Sequence, residues 1–186
     1  MNSKNTTKKL IFGAIFLALS YVMPFLTGQI PQFGSMLCPM HIPVLLCGFL
    51  CGWQMGLAVG ITAPLLRSFT LGMPPMFPVA VCMAFELATY GAASGIIYRI
   101  LPRKKTSVYI TLITSMIIGR IIWGVAMLIC MGINNASFGI SAFLAGAVTN
   151  AIPGIIIQIV LIPLIVMALE HTSFSEKRNS PTHQYH

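Results

Sequence analysis

IIWGVAMLICMGINNASFGISAFLAGAVTNAIPGIIIQIVLIPLIVMAL, residues Ile121–Leu169, runs without a single Asp, Glu, Lys or Arg. A second uncharged stretch spans Leu10–Leu66. The interior of a soluble fold is too small to hide runs of this length, whereas one bilayer crossing takes about 20 apolar residues. The whole chain agrees: of 186 residues, 56% are hydrophobic and 8% charged, against roughly 25% charged in an ordinary soluble domain. The reading is an all-α, polytopic, integral membrane protein. The first apolar segment does not read as a signal peptide, because it continues through Pro24 and Phe25 into further hydrophobic sequence without a small-residue cleavage site.

Six hydrophobic segments can be drawn, at about Leu10–Leu26, Leu37–Gly52, Trp53–Leu71, Phe77–Tyr98, Ser107–Met131 and Ser141–Leu169. The second and third, separated only around Cys51-Gly-Trp-Gln54, are short for a crossing and read as short, tilted or partly re-entrant. The sixth is long enough to cross with a steep tilt or to emerge as a cytoplasmic helix, with Pro153 and Pro163 as kink points. Basic residues fall in three groups: Lys4, Lys8 and Lys9; Arg99, Arg103, Lys104 and Lys105; Lys177 and Arg178. Six spans put all three on one side, which the positive-inside rule makes cytoplasmic. This predicts a cytoplasmic tail over 1–9, a six-helix membrane domain over 10–169 and a cytoplasmic tail over 170–186. The net charge of +8 lies in these separate flanks, so it does not point to nucleic acid.

Three charges remain inside the apolar body: Arg67, Glu86 and Arg120. Charge in a membrane interior is costly and marks binding sites and ion paths. Glu86 and Tyr90 share a helical face, and Glu86 and Arg120 both sit near the middle of their segments. Two compatible readings stand: an ion pair joining two helices, or the lining of a polar cavity. Arg67 lies nearer the outer end of its segment, either snorkelling to headgroups or reaching under the outer loops. If Glu86 neutralises one arginine, the other can receive a carboxylate through paired hydrogen bonds. His41, between Pro39 and Pro43, reads as a substrate donor or as a hydrogen-bonded helix-start residue. Asn150, ahead of Pro153, is a ligand candidate, and Gln158 reads as an interhelical hydrogen bond.

The outer connections, Thr27–Met36, Gly72–Met76 and Gly132–Gly139, carry no charge. Their Gly and Pro content suits either shaped loops over a site or plain turns, with Asn134 and Asn135 as polar contacts. Ala14-Ile-Phe-Leu-Ala18 sets two small residues one turn apart, a surface for close helix approach. Gly91, Gly95 and the Gly146/Ala147 region offer similar internal contacts. Among the five cysteines, Cys47 and Cys51 are spaced for one helical face, but no nearby His or carboxylate completes a metal set, and small buried hydrophobes are the simpler reading. No nucleotide-binding loop or nucleophilic triad appears. The chain therefore reads as neither an enzyme nor a metal or cofactor carrier.

Taken together, Ala14-Ile-Phe-Leu-Ala18, Pro39-Met-His-Ile-Pro-Val-Leu-Leu-Cys-Gly48, Pro64-Leu-Leu-Arg67, Gly72-Met-Pro-Pro75 and Phe85-Glu-Leu-Ala-Thr-Tyr-Gly91 resemble the substrate-binding S component of energy-coupling factor (ECF) vitamin transporters. The resemblance covers almost the whole chain. It implies a six-helix bundle with cytoplasmic termini in a prokaryotic plasma membrane. Its outward-facing pocket would bind a vitamin or precursor. Release would follow toppling within a complex of one transmembrane coupling subunit and two cytoplasmic ATPases that use the ATP. By the same resemblance, Glu86, Tyr90, Arg120 and Asn150 would bind substrate, with Arg67 and His41 as further candidates. Ala14 and Ala18 would dock on the coupling subunit. The excess of arginine favours an acid such as pantothenate or niacin. Two other functions remain open: a small ion-coupled secondary carrier using Glu86, and a non-transporting membrane scaffold.

Overall fold

A computed structural model describes residues 3–27, 39–102, 104–133 and 152–179. Over these the chain is helical: α1 (Ser3–Val22), followed by a tight turn at Met23–Thr27, then α2 (His41–Cys51), α3 (Trp53–Leu71), α4 (Val81–Ile100), α5 (Lys105–Ile133) and α6 (Ile152–Asn179). A wide helical turn, Met76–Ala80, leads into α4. Helix α1 starts before the first apolar residue, and α6 continues past the last one. Among the described residues, four stretches are long and apolar enough to cross a membrane: Thr6–Phe25, Met76–Ile100, Lys105–Gly132 and Ile152–Leu169. Helix α2, with 11 residues, is only about 16 Å long, roughly half of a hydrocarbon core of about 30 Å.

Local chemistry sets the helix ends. Pro43 falls in the first turn of α2, where its missing N–H has no intrahelical partner to lose. Gly52 closes α2 at φ 94°, where its N–H reaches Gly48 O, and this left-handed backbone lets α3 begin at the next residue. Gly72 ends α3 in the same way at φ 68°, bonding Ser68 O at 2.9 Å. The Ser68 hydroxyl then holds the following loop by donating to Pro74 O at 2.6 Å. At the other end of α4, extended Leu101 precedes Pro102, which disfavours further helix.

A seam of glycine holds the centre together. A Cβ on Gly56 would lie 2.5 Å from Gly91 O, and one on Gly60 would strike the backbone of Leu87. Gly95 meets the backbone of Gly52 and Trp53, and Gly48 also faces Gly91. Helices α3 and α4 are thus antiparallel with their backbones touching, and α2 is drawn into the same seam. Without a hydrophobic drive between helices in lipid, such close packing is a principal source of association. Gly91 and Gly95 carry the internal contacts expected of them; Gly146 and Ala147 lie outside the described residues.

Around the seam, Val44, Leu45, Cys47, Leu87, Tyr90, Leu112, Ile162 and Val166 form the buried core. A separate small cluster joins Cys82 on α4 to Met127 and Cys130 on α5. The large hydrophobic side chains exposed on α1, α5 and α6 are, apart from Tyr109, all Ile, Leu, Val and Phe, as a lipid-facing surface requires.

Candidate functional site

Helix α4 sets Glu86 and Tyr90 one turn apart, and the Tyr90 hydroxyl donates to Glu86 Oε1 at 2.9 Å. From α5, Arg120 Nη1 reaches the same oxygen at 3.0 Å. From α2, His41 Nε2 lies 3.5 Å from it, and the imidazole packs on the Tyr90 ring with centroids 5.3 Å apart. Three helices therefore converge on one carboxylate oxygen. Glu86 and Tyr90 are each 1% exposed and His41 3%. Gly119 makes the convergence possible: a Cβ there would collide with the Tyr90 ring, so glycine lets α5 approach and carry Arg120 to Glu86. A buried ion pair persists when its charges are matched and hydrogen-bonded, and Glu86 meets both conditions.

His41 opens α2, as the helix-start reading expected, but neither ring nitrogen has a hydrogen-bond partner among the described residues. The 3.5 Å approach to Glu86 is proximity rather than a formed hydrogen bond.

Arg67 takes a different position. It is 5% exposed, so it faces protein rather than headgroups. Its Nη1 donates to the backbone carbonyl of Tyr21 at 3.0 Å, and its guanidinium carbon lies 5.2 Å from the Phe25 ring centroid, a cation–π arrangement. The Tyr21 hydroxyl shares a 3.0 Å hydrogen bond with Thr70 Oγ1, a second tie between α1 and α3. Among the described residues, no carboxylate pairs with Arg67. Arg120 is the arginine that neutralises Glu86.

Asn150 lies outside the described residues, as do Asn134, Asn135, Cys38 and loop residues 28–36. Gln158 is buried, as a residue facing the bundle interior should be, and its Oε1 has no partner among the described residues. Thr111 and Ser115, four apart on α5, are fully buried with hydroxyls lacking partners among the described residues. Sequence reasoning passed over them, although two hydroxyls one turn apart in an apolar helix were the available signal. Ala14 and Ala18 both lie on the exposed side of α1. Cys47 and Cys51 are buried free thiols, and no group of three His, Cys, Asp or Glu that could hold a metal occurs among the described residues.

An apolar helical body enclosing a compensated ionic cluster and a second buried arginine defines a polytopic membrane protein with a polar interior site. The family described as ECF transporter, substrate-specific component, matches residues 8–166, and the chain belongs to that family. Its general role is therefore substrate binding in membrane transport rather than catalysis, and such components function with transmembrane and ATPase subunits. Comparison with curated proteins and with solved structures gave no match.

Proposed function

We propose that this chain captures a small water-soluble vitamin or precursor carrying a carboxylate, such as pantothenate or niacin, at the outer face of a prokaryotic plasma membrane. Uptake is driven by ATP in a complex with one transmembrane coupling subunit and two cytoplasmic ATPases. One observation carries the choice of an acid: Arg120 is matched by Glu86, whereas buried Arg67 has no carboxylate partner among the described residues. An arginine fork with donors to spare is suited to bidentate recognition of a carboxylate.

In this reading Arg67 receives the acid, while His41, Glu86, Tyr90 and Arg120 form the polar floor beneath it. Asn150 joins the site on the strength of its sequence position alone. The three basic flanks support six crossings with both termini cytoplasmic, α2 and α3 making a short, tilted pair. Ala14 and Ala18, exposed on α1, serve as the docking surface for the coupling subunit.

Binding of pantothenate, pantothenol, nicotinate and nicotinamide to the purified full-length protein, measured by isothermal titration calorimetry, tests the proposal. At least one acid is expected to bind well above its neutral counterpart, and Arg67→Gln to remove that preference. Equal affinity for an acid and its neutral counterpart would exclude carboxylate recognition.

A further inference from the structure

We infer that the substrate is an elongated, bipolar molecule, with a carboxylate at the outer end and a neutral hydrogen-bonding group about 9 Å deeper in the bundle. The inference rests on the carboxylate-capture reading and specifies what the rest of the ligand must be.

The glycine seam supplies the ruler. Gly56 faces Gly91 and Gly60 faces Leu87, so each step outward along α3 corresponds to a step towards the start of α4. Continued by this antiparallel register, Arg67 falls at the level of Ala80. From Ala80 to Glu86 is six residues of α4 and its entry turn, and at 1.5 Å per residue the two levels are about 9 Å apart along the axis. His41 is fixed at the deeper level by its approach to Glu86.

The two levels differ in charge. At the outer one stands Arg67, beside a backbone carbonyl and an aromatic ring. At the inner one, Glu86 and Arg120 cancel, and a further charge there would add an uncompensated ion to a buried site. A neutral group is therefore suited to the inner level. Its hydrogen-bonding character follows from His41. A neutral imidazole presents one donor and one acceptor, and both His41 nitrogens are buried without a hydrogen-bond partner among the described residues. Leaving such atoms unpaired is costly. Nε2 is turned towards Glu86 Oε1, so the atom left for a ligand is Nδ1, and an amide or hydroxyl, able to donate or accept, pairs with it in either tautomer. A compact acid whose polar atoms all lie at one end would reach only one level.

The test uses a graded probe series on the full-length protein: N-acetylglycine, N-acetyl-4-aminobutyrate, N-acetyl-6-aminohexanoate and N-acetyl-8-aminooctanoate, measured by calorimetric titration. The six-carbon member, whose extended chain spans about the required distance, is expected to bind about tenfold more tightly than the shortest and longest, the effect of one well-placed hydrogen bond. Arg67→Gln should weaken every member, whereas His41→Ala should flatten the dependence on length without abolishing binding. The length scan on the unaltered protein decides the point even if a variant fails to fold. Arg67-dependent binding with no length preference, or an optimum at either end of the series, would overturn the inference while leaving carboxylate capture standing. Binding indifferent to Arg67→Gln, or no binding by any member, would overturn both.

Discussion

Gly91→Ala places a methyl group where α3 and α4 touch. That carbon would fall on the carbonyl group of Gly56, with Gly56 Cα only 2.8 Å away. Ordinary carbon contacts lie at about 3.5–4.0 Å, so the helices must separate by about 1 Å at this level. The obstructing atoms are backbone, and no rotamer change can relieve them. Overpacking of this kind costs about 1–3 kcal/mol, and separation here also loosens the contacts at Gly60 and Gly95. Alanine returns about 1 kcal/mol through its helix propensity, leaving a net loss of about 0–2 kcal/mol, still about 1–3 kcal/mol below a glycine-to-alanine change in open space. Reversible unfolding by SDS titration in mixed micelles measures it. Gly132→Ala is the control, since a Cβ there meets nothing within 4 Å among the described residues. It should be neutral or slightly stabilising. If Gly91→Ala proved as stable as Gly132→Ala, the seam would not be the element that fixes helix spacing.

Glu86→Gln should destabilise the protein by about 3–5 kcal/mol by depriving buried Arg120 of its counter-charge. The Glu86→Gln/Arg120→Met pair should lose less than the two single changes summed, by about 0.5–3 kcal/mol; strict additivity in the same SDS titration would mean that the pair is not coupled. Ala14→Leu with Ala18→Leu should abolish co-purification with a coupling subunit while changing the stability of the isolated chain by less than about 0.5 kcal/mol, because both positions are exposed; an unchanged yield of complex would remove this face from the interface. Tyr21→Phe should cost about 0.5–1.5 kcal/mol by deleting the bond to Thr70, and hydrogen exchange at the C-terminal end of α1 should rise; unchanged exchange would show that the hydroxyl does not tie the two helices.

Hydropathy and charge together exposed the helical membrane body, because uncharged runs of that length suit a bilayer and little else. The Glu86–Arg120 pair was legible as two opposite charges at similar depth on successive segments. Its exclusivity was not: Arg67 carries the same charge as Arg120, and its actual neighbours, the Tyr21 carbonyl and the Phe25 ring, leave no charge pattern to read. The approach of His41 to Glu86 was equally hidden. It depends on α2 starting at that depth, and a short helix start has no hydropathy signature. Gly91 and Gly95 stood out as small residues, yet Gly48, Gly56 and Gly60 passed unnoticed, since only the partner helix shows which glycines face a backbone. Gln158 shows a related limit of pattern: its polarity announced burial inside the bundle but not which atoms would meet its amide.

Because the seam joins main chain to main chain, the spacing of α2, α3 and α4 owes little to the side chains that face the polar interior. Residues such as His41 and Arg67 can then be exchanged for others of different chemistry without shifting the frame that presents them. For protein engineers this separates two problems usually entangled in membrane receptors. On the proposed site, a new solute would be addressed by altering a few side chains, while the lipid-facing outline stays as it is.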